Sequence, residues 1–379
     1  MKDARVLVTG ATGFVGRRLI QRLLDLGLEV YALVRPRADK SYNLPPLVKT
    51  VEADITDFAS VKRALRATEP DVIFHLAAQS FVPYSFEDPA YTFDVNITGS
   101  VNILEAVRQL EIDPVLHFAG SSEEYGIQYV SEKHYERVRE LLPYAQPPVR
   151  MPEIPIDETN PLRPASPYAV SKVAVDMMWS MYRTWYGLKT LVTRAFNHEG
   201  RGRGPMFVTS QIVSQLRKST TLVLGNIASF RDWSHVEDTV SAYIFLALNK
   251  HTGVYVVGSA RTNSVLTFAT LVSSKIYGRV DKVCVDSVCE EFEESTCEIG
   301  NIKFPCYSTD AILFSYVEQL EAPKFAEIYT ERNKITVVVD RNRLRPLDVP
   351  ILMSNPAKLM ALGWAPKRSL ADIIDEMLS

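Results

Sequence analysis

The chain has 379 residues, 46% of them hydrophobic, with 42 Lys and Arg against 45 Asp and Glu. A chain of this size and composition buries a large core, and its formal charge of -3 excludes a general attraction to nucleic acid or to anionic membranes. No apolar run reaches the ~18 residues that a membrane-spanning helix needs, and the N-terminal residues enter a strand pattern instead of a signal peptide, so we expect a cytoplasmic protein without membrane or nucleic-acid partners.

Short β-branched segments alternate with helical patterns through the first half of the chain. In order, the predicted elements are the strand RVLVTG, the helix FVGRRLIQRLLDLG, the strands EVYALVR and TVEADI, the helix SVKRALRA, the strand DVIFHLAA, a helix near residues 89–110 and the strand PVLHFAG. A helix over about 166–186 and the strand KTLVTRAFN follow, and TVSAYIFLAL and GVYVVGS are expected to return to the same lobe. This alternation predicts an α/β fold with a doubly wound parallel sheet of the Rossmann type.

The later segments are less regular and predict a second, smaller α/β lobe. We expect residues 1–190 plus 231–260 to form a dinucleotide-binding domain, and residues 191–230 plus 261–379 to form a substrate-binding domain. The chain contains no internal repeat and no low-complexity tract.

Two stretches, 127–155 and 281–334, have the character of insertions. Insertions in the loops around a parallel sheet cost little loop entropy and commonly change the rim of a site. We therefore expect the first stretch at the rim of the site. The second stretch is interpreted as a segment for assembly of several copies. The second stretch contains all four cysteines: Cys284, Cys289, Cys297 and Cys306. None shows the C-x-x-C spacing of a structural zinc site, so no metal is expected; buried thiols fit a cytoplasmic protein, and disulfides remain open for a hyperthermophilic source.

The segment TGATGFVG follows the first strand and opens the first helix. Gly10, Gly13 and Gly16 permit a tight turn and a close approach of a pyrophosphate to the helix N-terminus. After the second strand, VRPR places Arg35 and Arg37 where an NAD enzyme usually has an acid. Because arginine attracts a 2'-phosphate that an acid would repel, NADP is expected rather than NAD; the alternative is that these arginines are simply solvated.

The segments SPYAVSK and GSSEEYG carry the candidate catalytic groups. Tyr168 and Lys172 lie four residues apart, on one face of a predicted helix, where a neighbouring ammonium and a nicotinamide cation would favour the phenolate. Glu123 follows the buried strand PVLHFAG, and a carboxylate there must be solvated, paired or used. Both interpretations of Glu123, catalytic and solvated, stay open on this pattern alone.

Together these motifs resemble the short-chain dehydrogenase/reductase superfamily, in its extended branch. The GSSEEYG segment is similar to the S-T-S-E-x-Y-G form of GDP-mannose 4,6-dehydratases, and the segments FNHE, RG-x-x-FVT and RDW also resemble that family. The resemblance implies that Ser121 binds the 4-hydroxyl of a sugar, that Tyr168 with Lys172 takes the O4 proton, and that Glu123 removes the C5 proton and protonates the leaving C6 hydroxyl. Glu124 is interpreted as a helper or a surface carboxylate.

The resemblance also implies two sets of binding residues. The cofactor set is Gly10, Thr12, Gly13, Phe14, Val15, Gly16, Arg35, Asp54, Ile55, Leu76, Ala77, Ala78, Tyr168 and Lys172. The substrate set is Ser85, Asn197, Val208, Asn226, Arg231, Arg345 and Asp348. Gln211 stands where the family has a lysine, which is expected to weaken the diphosphate clamp, and Phe81 stands where a histidine is usual.

The leading hypothesis is NADP-dependent dehydration of GDP-mannose to GDP-4-keto-6-deoxymannose by internal hydride transfer. A GDP-4-keto-6-deoxymannose reductase shares several of the motifs and would consume NADPH. An epimerase of nucleotide sugars and a non-catalytic nucleotide sensor also stay open. The resemblance implies a homodimer or homotetramer, with the MMWSMYRTWY segment packing on its mate.

Overall fold

A seven-stranded parallel sheet forms the centre of the first lobe in the computed structural model, which describes residues 4–36, 42–344 and 348–379. Its strands are β1 (Arg5–Thr9), β2 (Glu29–Val34), β3 (Lys49–Glu52), β4 (Val72–His75), β5 (Val115–Ser121), β6 (Lys189–Ala195) and β11 (Gly253–Val257). Their order is β11-β6-β5-β4-β1-β2-β3, and every neighbouring pair is parallel. The predicted fold class is therefore confirmed, with β6 continuing the sheet past the predicted boundary at residue 190.

Helices cover both faces of this sheet. The α-helices in the described part of the chain are α1 (Phe14–Asp25), α2 (Phe58–Thr68), α3 (Val82–Glu87), α4 (Pro89–Phe93), α5 (Gly99–Leu110), α6 (Glu132–Leu141), α7 (Pro167–Tyr186), α8 (Val208–Leu216), α9 (Val236–Leu248), α10 (Val265–Tyr277), α11 (Ser308–Gln319), α12 (Ala357–Met360) and α13 (Leu370–Leu378). Buried apolar side chains of α1 and α9 pack in one cluster with the strands, and those of α2, α5 and α7 pack in another. The helix predicted near 89–110 is α4 and α5 joined by a π-helical turn, Asp94–Thr98.

The second lobe is built on a five-stranded mixed sheet. Its strands are β8 (Thr221–Leu224), β13 (Val280–Val285), β14 (Val288–Glu291), β17 (Phe325–Thr330) and β18 (Lys334–Val339), in the order β14-β13-β17-β18-β8. Only the β18–β8 pair within it is parallel. The smaller pairs are β7 (His198–Glu199) with β10 (Ser234–His235), β9 (Phe230–Arg231) with β12 (Asn263–Ser264), and β15 (Glu294–Ile299) with β16 (Ile302–Tyr307).

The four cysteines form two disulfides, both within hairpins of the second insertion. Cys284 on β13 pairs with Cys289 on β14, and Cys297 on β15 pairs with Cys306 on β16. Of the two states that the sequence leaves open, buried thiols and disulfides, the structure has disulfides. Antiparallel neighbours bring the two partners within reach, because Cys284 and Cys289 stand directly opposite each other in the ladder.

Two further observations concern membranes and metals. Within residues 4–36, 42–344 and 348–379, no helix has both the length and the apolar character needed to cross a bilayer. The same ranges hold no group of three or more His, Cys, Asp or Glu side chains that could bind a metal ion.

Candidate active site

The carboxyl ends of the parallel strands open into a cavity of about 1230 Å³ that is lined by residues of both lobes. Ligands of open α/β sheets bind at this edge. Pockets for small ligands commonly have volumes of roughly 300–1,000 Å³, so this cavity is larger than a typical pocket for one small ligand. The predicted motifs meet here because parallel strands end on the same side of a sheet.

The glycine segment forms a tight loop between β1 and α1. Gly10 has a φ of +67°, and a Cβ on it would lie 2.8 Å from the backbone nitrogen of Ala77. A Cβ on Gly16 would lie 2.2 Å from the carbonyl oxygen of Gly10, so the packing of helix against loop requires glycine there. The hydroxyl of Thr9 accepts hydrogen bonds from the amides of Leu76 and Ala77, which holds the ends of β1 and β4 together.

These residues fit a dinucleotide pyrophosphate. Gly13 caps α1 without a side-chain hydrogen bond, and the first turn of α1 contains no acid. The backbone amides at the start of this 12-residue helix therefore have no side-chain acceptor and can donate hydrogen bonds to a bound anion. Every residue of the predicted cofactor set lines the cavity, including Arg35, which is exposed, and Asp54. Arg37 lies outside the described residues.

Tyr168 and Lys172 lie in the first turns of α7, which begins at Pro167 after the capping side chain of Ser166. Burial raises the pKa of the Tyr168 phenol above its ordinary value, whereas the Ser121 hydroxyl and the Arg203 cation act in the opposite direction. The Nζ atom of Lys172 donates to the carbonyl oxygen of Ala119 at 2.7 Å and lies 5.8 Å from the centroid of the Tyr168 ring. Burial lowers the pKa of Lys172 to about 8.

Glu123 and Glu124 face in opposite directions because a capping box fixes the short 3₁₀ turn Ser122–Tyr125. The Ser121 hydroxyl accepts from the amide of Glu123 at 3.2 Å, and the Ser121 amide donates to the carboxylate of Glu124 at 2.7 Å. Glu123 is half-buried and lines the cavity beside Ser121 and Tyr168. The turn therefore holds one carboxylate on the wall of the cavity that Tyr168 also lines.

Glu124 is neither a surface carboxylate nor part of the cavity wall, which corrects the surface interpretation. It is fully buried and lies 3.7 Å from the Nε atom of Arg194. Burial, and then the nearby carboxylate of Asp176, raise the pKa of Glu124 well above its ordinary value. The S-x-x-E spacing from Ser121 to Glu124 is the sequence signal of a capping box, and it would have identified Glu124 as a structural residue.

The predicted substrate residues separate into three groups. Asn197, Val208, Asn226, Arg231 and Asp348 line the cavity. Ser85 does not reach it: its side chain is fully buried, and its hydroxyl donates to the carbonyl oxygen of Val82 at 2.7 Å. Arg345 lies outside the described residues.

Several cavity residues were not assigned from the sequence. Arg203 stacks 3.5 Å from the ring centroid of Phe207 and pairs with the buried Glu199 at 3.4 Å. Phe81 packs edge-on against Phe207, with ring centroids 6.1 Å apart. The sequence signal was present in the quoted RG-x-x-FVT segment, but its spacing did not show which side chains face inward. Arg343 also lines the cavity.

The first insertion does not shape the main cavity, contrary to the prediction. None of the described residues 127–155 lines it. Leu141 of this insertion instead lines a neighbouring cavity of about 100 Å³. Tyr316 of α11 and Leu320, the residue that follows α11, line the same cavity. The two insertions are in contact, since Arg137 donates to the carbonyl oxygen of Gln319 at 3.4 Å.

Two family models match the chain. The NAD dependent epimerase/dehydratase family matches residues 6–258, and GDP-mannose 4,6 dehydratase matches residues 150–377. GDP-mannose 4,6 dehydratase 1 of Arabidopsis thaliana is 36% identical over 283 residues, which cover 69% of this chain and 72% of the relative. The GDP-mannose 4,6-dehydratase of Yersinia enterocolitica is 28% identical over 401 residues, covering 99% of this chain and 93% of the relative.

Solved structures share the fold over nearly the whole chain. UDP-glucose 4-epimerase of Thermus thermophilus, in complex with NAD, superposes with a TM-score of 0.69 at 27% identity and covers 99% of this chain and 97% of its own. The protein RMD of Pseudomonas aeruginosa, complexed with NADPH, has a TM-score of 0.68 at 23% identity with the same coverage of both chains. The second likeness concerns the fold alone.

Proposed function

The chain belongs to the NAD dependent epimerase/dehydratase family and, within it, to the GDP-mannose 4,6-dehydratases, and from this premise we propose that it converts GDP-mannose into GDP-4-keto-6-deoxymannose. This activity makes the chain a lyase that removes water. The observation that carries the proposal is the position of Glu123, a carboxylate on the cavity wall beside Ser121 and Tyr168. A reductase of the keto sugar needs no carboxylate at this point, whereas a dehydratase needs one.

We assign each chemical role to a side chain of the cavity wall. Ser121 binds the 4-hydroxyl of the hexose, and Tyr168 accepts the O4 proton as C4 becomes a ketone. Lys172 supplies a positive charge close to the phenol and, through its contact with Ala119, is held against the end of β5. Glu123 removes the C5 proton, which the new ketone makes acidic, and donates a proton to the departing C6 hydroxyl.

The nicotinamide cofactor, when bound, supplies the acceptor for the C4 hydride and the donor to C6, so no external reductant is consumed. Membership of the family supports an NAD or NADP cofactor, and we propose NADP because Arg35 follows β2 at the cavity wall. The guanidinium would bind the 2'-phosphate through charge-assisted hydrogen bonds. We also propose that the lobe around the seven-stranded sheet holds this cofactor and that the other lobe binds the sugar nucleotide.

The variant Arg35→Ala tests this cofactor choice. Hydrogen bonds to a charged group contribute about 1.5–3 kcal/mol, so we expect the affinity for NADPH to fall by roughly ten- to a hundredfold while the affinity for NADH stays the same. Fluorescence titration of protein stripped of nucleotide measures both. The matched control is Arg17→Ala on α1, whose side chain does not line the cavity. Equal affinity of the Arg35→Ala variant and the unmodified protein for NADPH would refute the NADP assignment.

Incubation of the purified protein with GDP-mannose, without added reductant, tests the reaction itself. We expect a product that has lost one water and carries a 4-keto group, detected by mass spectrometry. A reductase would instead leave GDP-mannose unchanged and convert the keto sugar only when NADPH is supplied. An epimerase would produce an isomer of unchanged mass, and a nucleotide sensor no product at all.

We further propose a homodimer that forms through α7. Met177, Met181 and Trp185 recur every four residues along this helix and are 60%, 38% and 74% exposed, whereas Trp179 and Tyr182 of the same helix are buried in the core. An apolar stripe of this kind on an otherwise packed helix fits a second copy of the same helix in an isologous contact.

The double variant Met177→Glu, Trp185→Glu tests the dimer. Each buried large apolar side chain contributes about 1.5–3 kcal/mol, so we expect the charged variant to run as a monomer in light scattering at concentrations where the unmodified chain is a dimer. Tyr144→Glu, at an 81% exposed position in the first insertion, is the control and should leave the mass unchanged. A monomeric unmodified chain, or a dimer that survives the two charges, would contradict the proposal.

A further inference from the structure

The diphosphate of a nucleotide sugar brings several negative charges into the cavity, and the chain as a whole is slightly acidic. The charge must therefore be met by local cations. Among the described residues, five lysine or arginine side chains line the main cavity: Arg35, Lys172, Arg203, Arg231 and Arg343. Arg35 stands at the proposed cofactor ribose and Lys172 at the catalytic phenol, so three remain for the substrate end.

Arg231 is already balanced by the protein. Its side chain is buried, and its Nη1 atom donates to the carbonyl oxygens of Phe230 and Val349 at 2.9 and 2.8 Å. Its Nη2 atom lies 3.3 Å from the carboxylate of Asp348. A guanidinium held in this way orders the loop around it and brings no net charge to the cavity, because the carboxylate cancels it.

Arg203 is balanced in the same manner. Its Nε atom is 3.4 Å from the carboxylate of the buried Glu199, which is itself held by the hydroxyl of Thr209 at 2.7 Å. Its guanidinium lies over the rings of Phe207 and Phe14, and Phe14 belongs to the glycine loop. Arg203 is thus packed between the glycine loop and the start of α8, with its charge met by Glu199.

Arg343 is held at the nucleotide end by neutral groups on the wall. Its Nη1 atom donates to the carbonyl oxygen of Val223 at 2.7 Å and lies 3.3 Å from the amide oxygen of Gln211. Gly225 lets the chain approach closely here, since a Cβ on it would lie 3.0 Å from the carbonyl oxygen of Arg343. Asp340, at 3.4 Å, is the carboxylate partner of Arg343, but the two side chains are 30% and 45% exposed, so water screens this pair more than the buried pairs of Arg203 and Arg231.

We propose that Arg343 binds the diphosphate of the nucleotide substrate, supplying beside Gln211 the cation that a lysine at position 211 would otherwise supply. The inference rests on the proposed function for the identity of the nucleotide. Arg343 has no place in the substrate set implied by resemblance, and its contact with Gln211 joins residues 132 positions apart. In this chain the positive charge beside position 211 therefore comes from the turn after β18 and not from α8 itself.

Calorimetric titration with GDP and with guanosine tests the proposal. For Arg343→Gln we expect the Kd for GDP to rise by about tenfold, which corresponds to about 1.4 kcal/mol, and the Kd for guanosine to stay unchanged. Adding Gln211→Lys to that variant should restore most of the lost GDP affinity, because it returns a cation to the same part of the wall. Arg341→Gln is the control: it removes the same charge two residues away, from a side chain that does not line the cavity.

An unchanged Kd for GDP in Arg343→Gln would overturn the proposal, as would an equal loss for guanosine, an equal effect of Arg341→Gln, or no recovery with the added lysine. Circular dichroism of each variant shows that it is folded before it is titrated. Because GDP binding is measured without turnover, the result is independent of the reaction. Tight GDP binding through Arg343 without dehydration of GDP-mannose would refute the proposed function alone, and dehydration with an unaltered Kd would refute this inference alone.

Discussion

Replacement of Glu123 by glutamine is expected to abolish formation of the 4-keto-6-deoxy product. Glutamine keeps the size of the side chain but can neither take the C5 proton nor give one to the C6 hydroxyl. General acid and base groups contribute about 10²- to 10⁴-fold to rates, and this one residue carries both transfers, so the loss should lie at the upper end of that range. Steady-state formation of the product, measured by mass spectrometry, gives the number.

A single-turnover experiment separates this role from a loss of binding or folding. The Glu123→Gln variant should still oxidise C4, so that quenched reactions contain a nucleotide sugar lighter by two hydrogens that retains its C6 oxygen. Affinity for GDP should be unaltered. Glu132→Gln, an exposed glutamate at the start of α6, is the matched control and should react normally. Product formation by Glu123→Gln at a rate near that of the unmodified protein would remove Glu123 from the mechanism.

Replacement of Tyr168 by phenylalanine should stop the reaction one step earlier. Without the phenol oxygen the O4 proton has no acceptor, and C4 cannot become a ketone. We expect a rate loss of about 10²- to 10⁴-fold and, in contrast to Glu123→Gln, no oxidised intermediate in single-turnover samples. The same quenched reactions and the same mass measurement compare the two variants directly.

Tyr125→Phe controls for the loss of a buried tyrosine hydroxyl. Tyr125 is fully buried, its hydroxyl is 3.2 Å from the Nη1 atom of Arg194, and it does not line the cavity. Its variant should lose stability, by about 1–3 kcal/mol for the unpaired donor, and keep its turnover. If Tyr168→Phe accumulated the same oxidised intermediate as Glu123→Gln, the phenol would not be the base at O4.

Much of the fold follows from short-range patterns. The alternation of β-branched strands with amphipathic helices predicted the parallel sheet, and the glycine loop predicted the junction of β1 and α1. Strand ends that share one sheet edge bring Gly13, Ser121 and Asn197 to a common cavity, although the chain separates them widely. The disulfides are harder to predict from the sequence. Which of the four cysteines pair depends on which strands are neighbours, and the spacing of the cysteines does not determine that.

The less predictable parts of the site are those in irregular backbone. Ser85 was assigned to the substrate, but its rotamer turns the hydroxyl to the carbonyl oxygen of Val82 within α3. Glu123 and Glu124 are both glutamates and are adjacent in the sequence, and only the capping geometry at Ser121 distinguishes their positions. The proposed role of Arg343 depends on its contact with Gln211, a residue that is distant in the sequence. Periodicity assigns faces to helices and strands, but it carries no information on side chains in turns.

The proposed reaction is tested most directly by the fate of a deuterium placed at C4 of GDP-mannose. If the hydride removed from C4 is kept in the cavity and returned after the elimination at Glu123, the label will be found at C6 of the 4-keto-6-deoxy product, with no reductant added. Product that lacks the label at C6, or that forms only when NADPH is supplied, would contradict internal transfer and with it the proposed reaction.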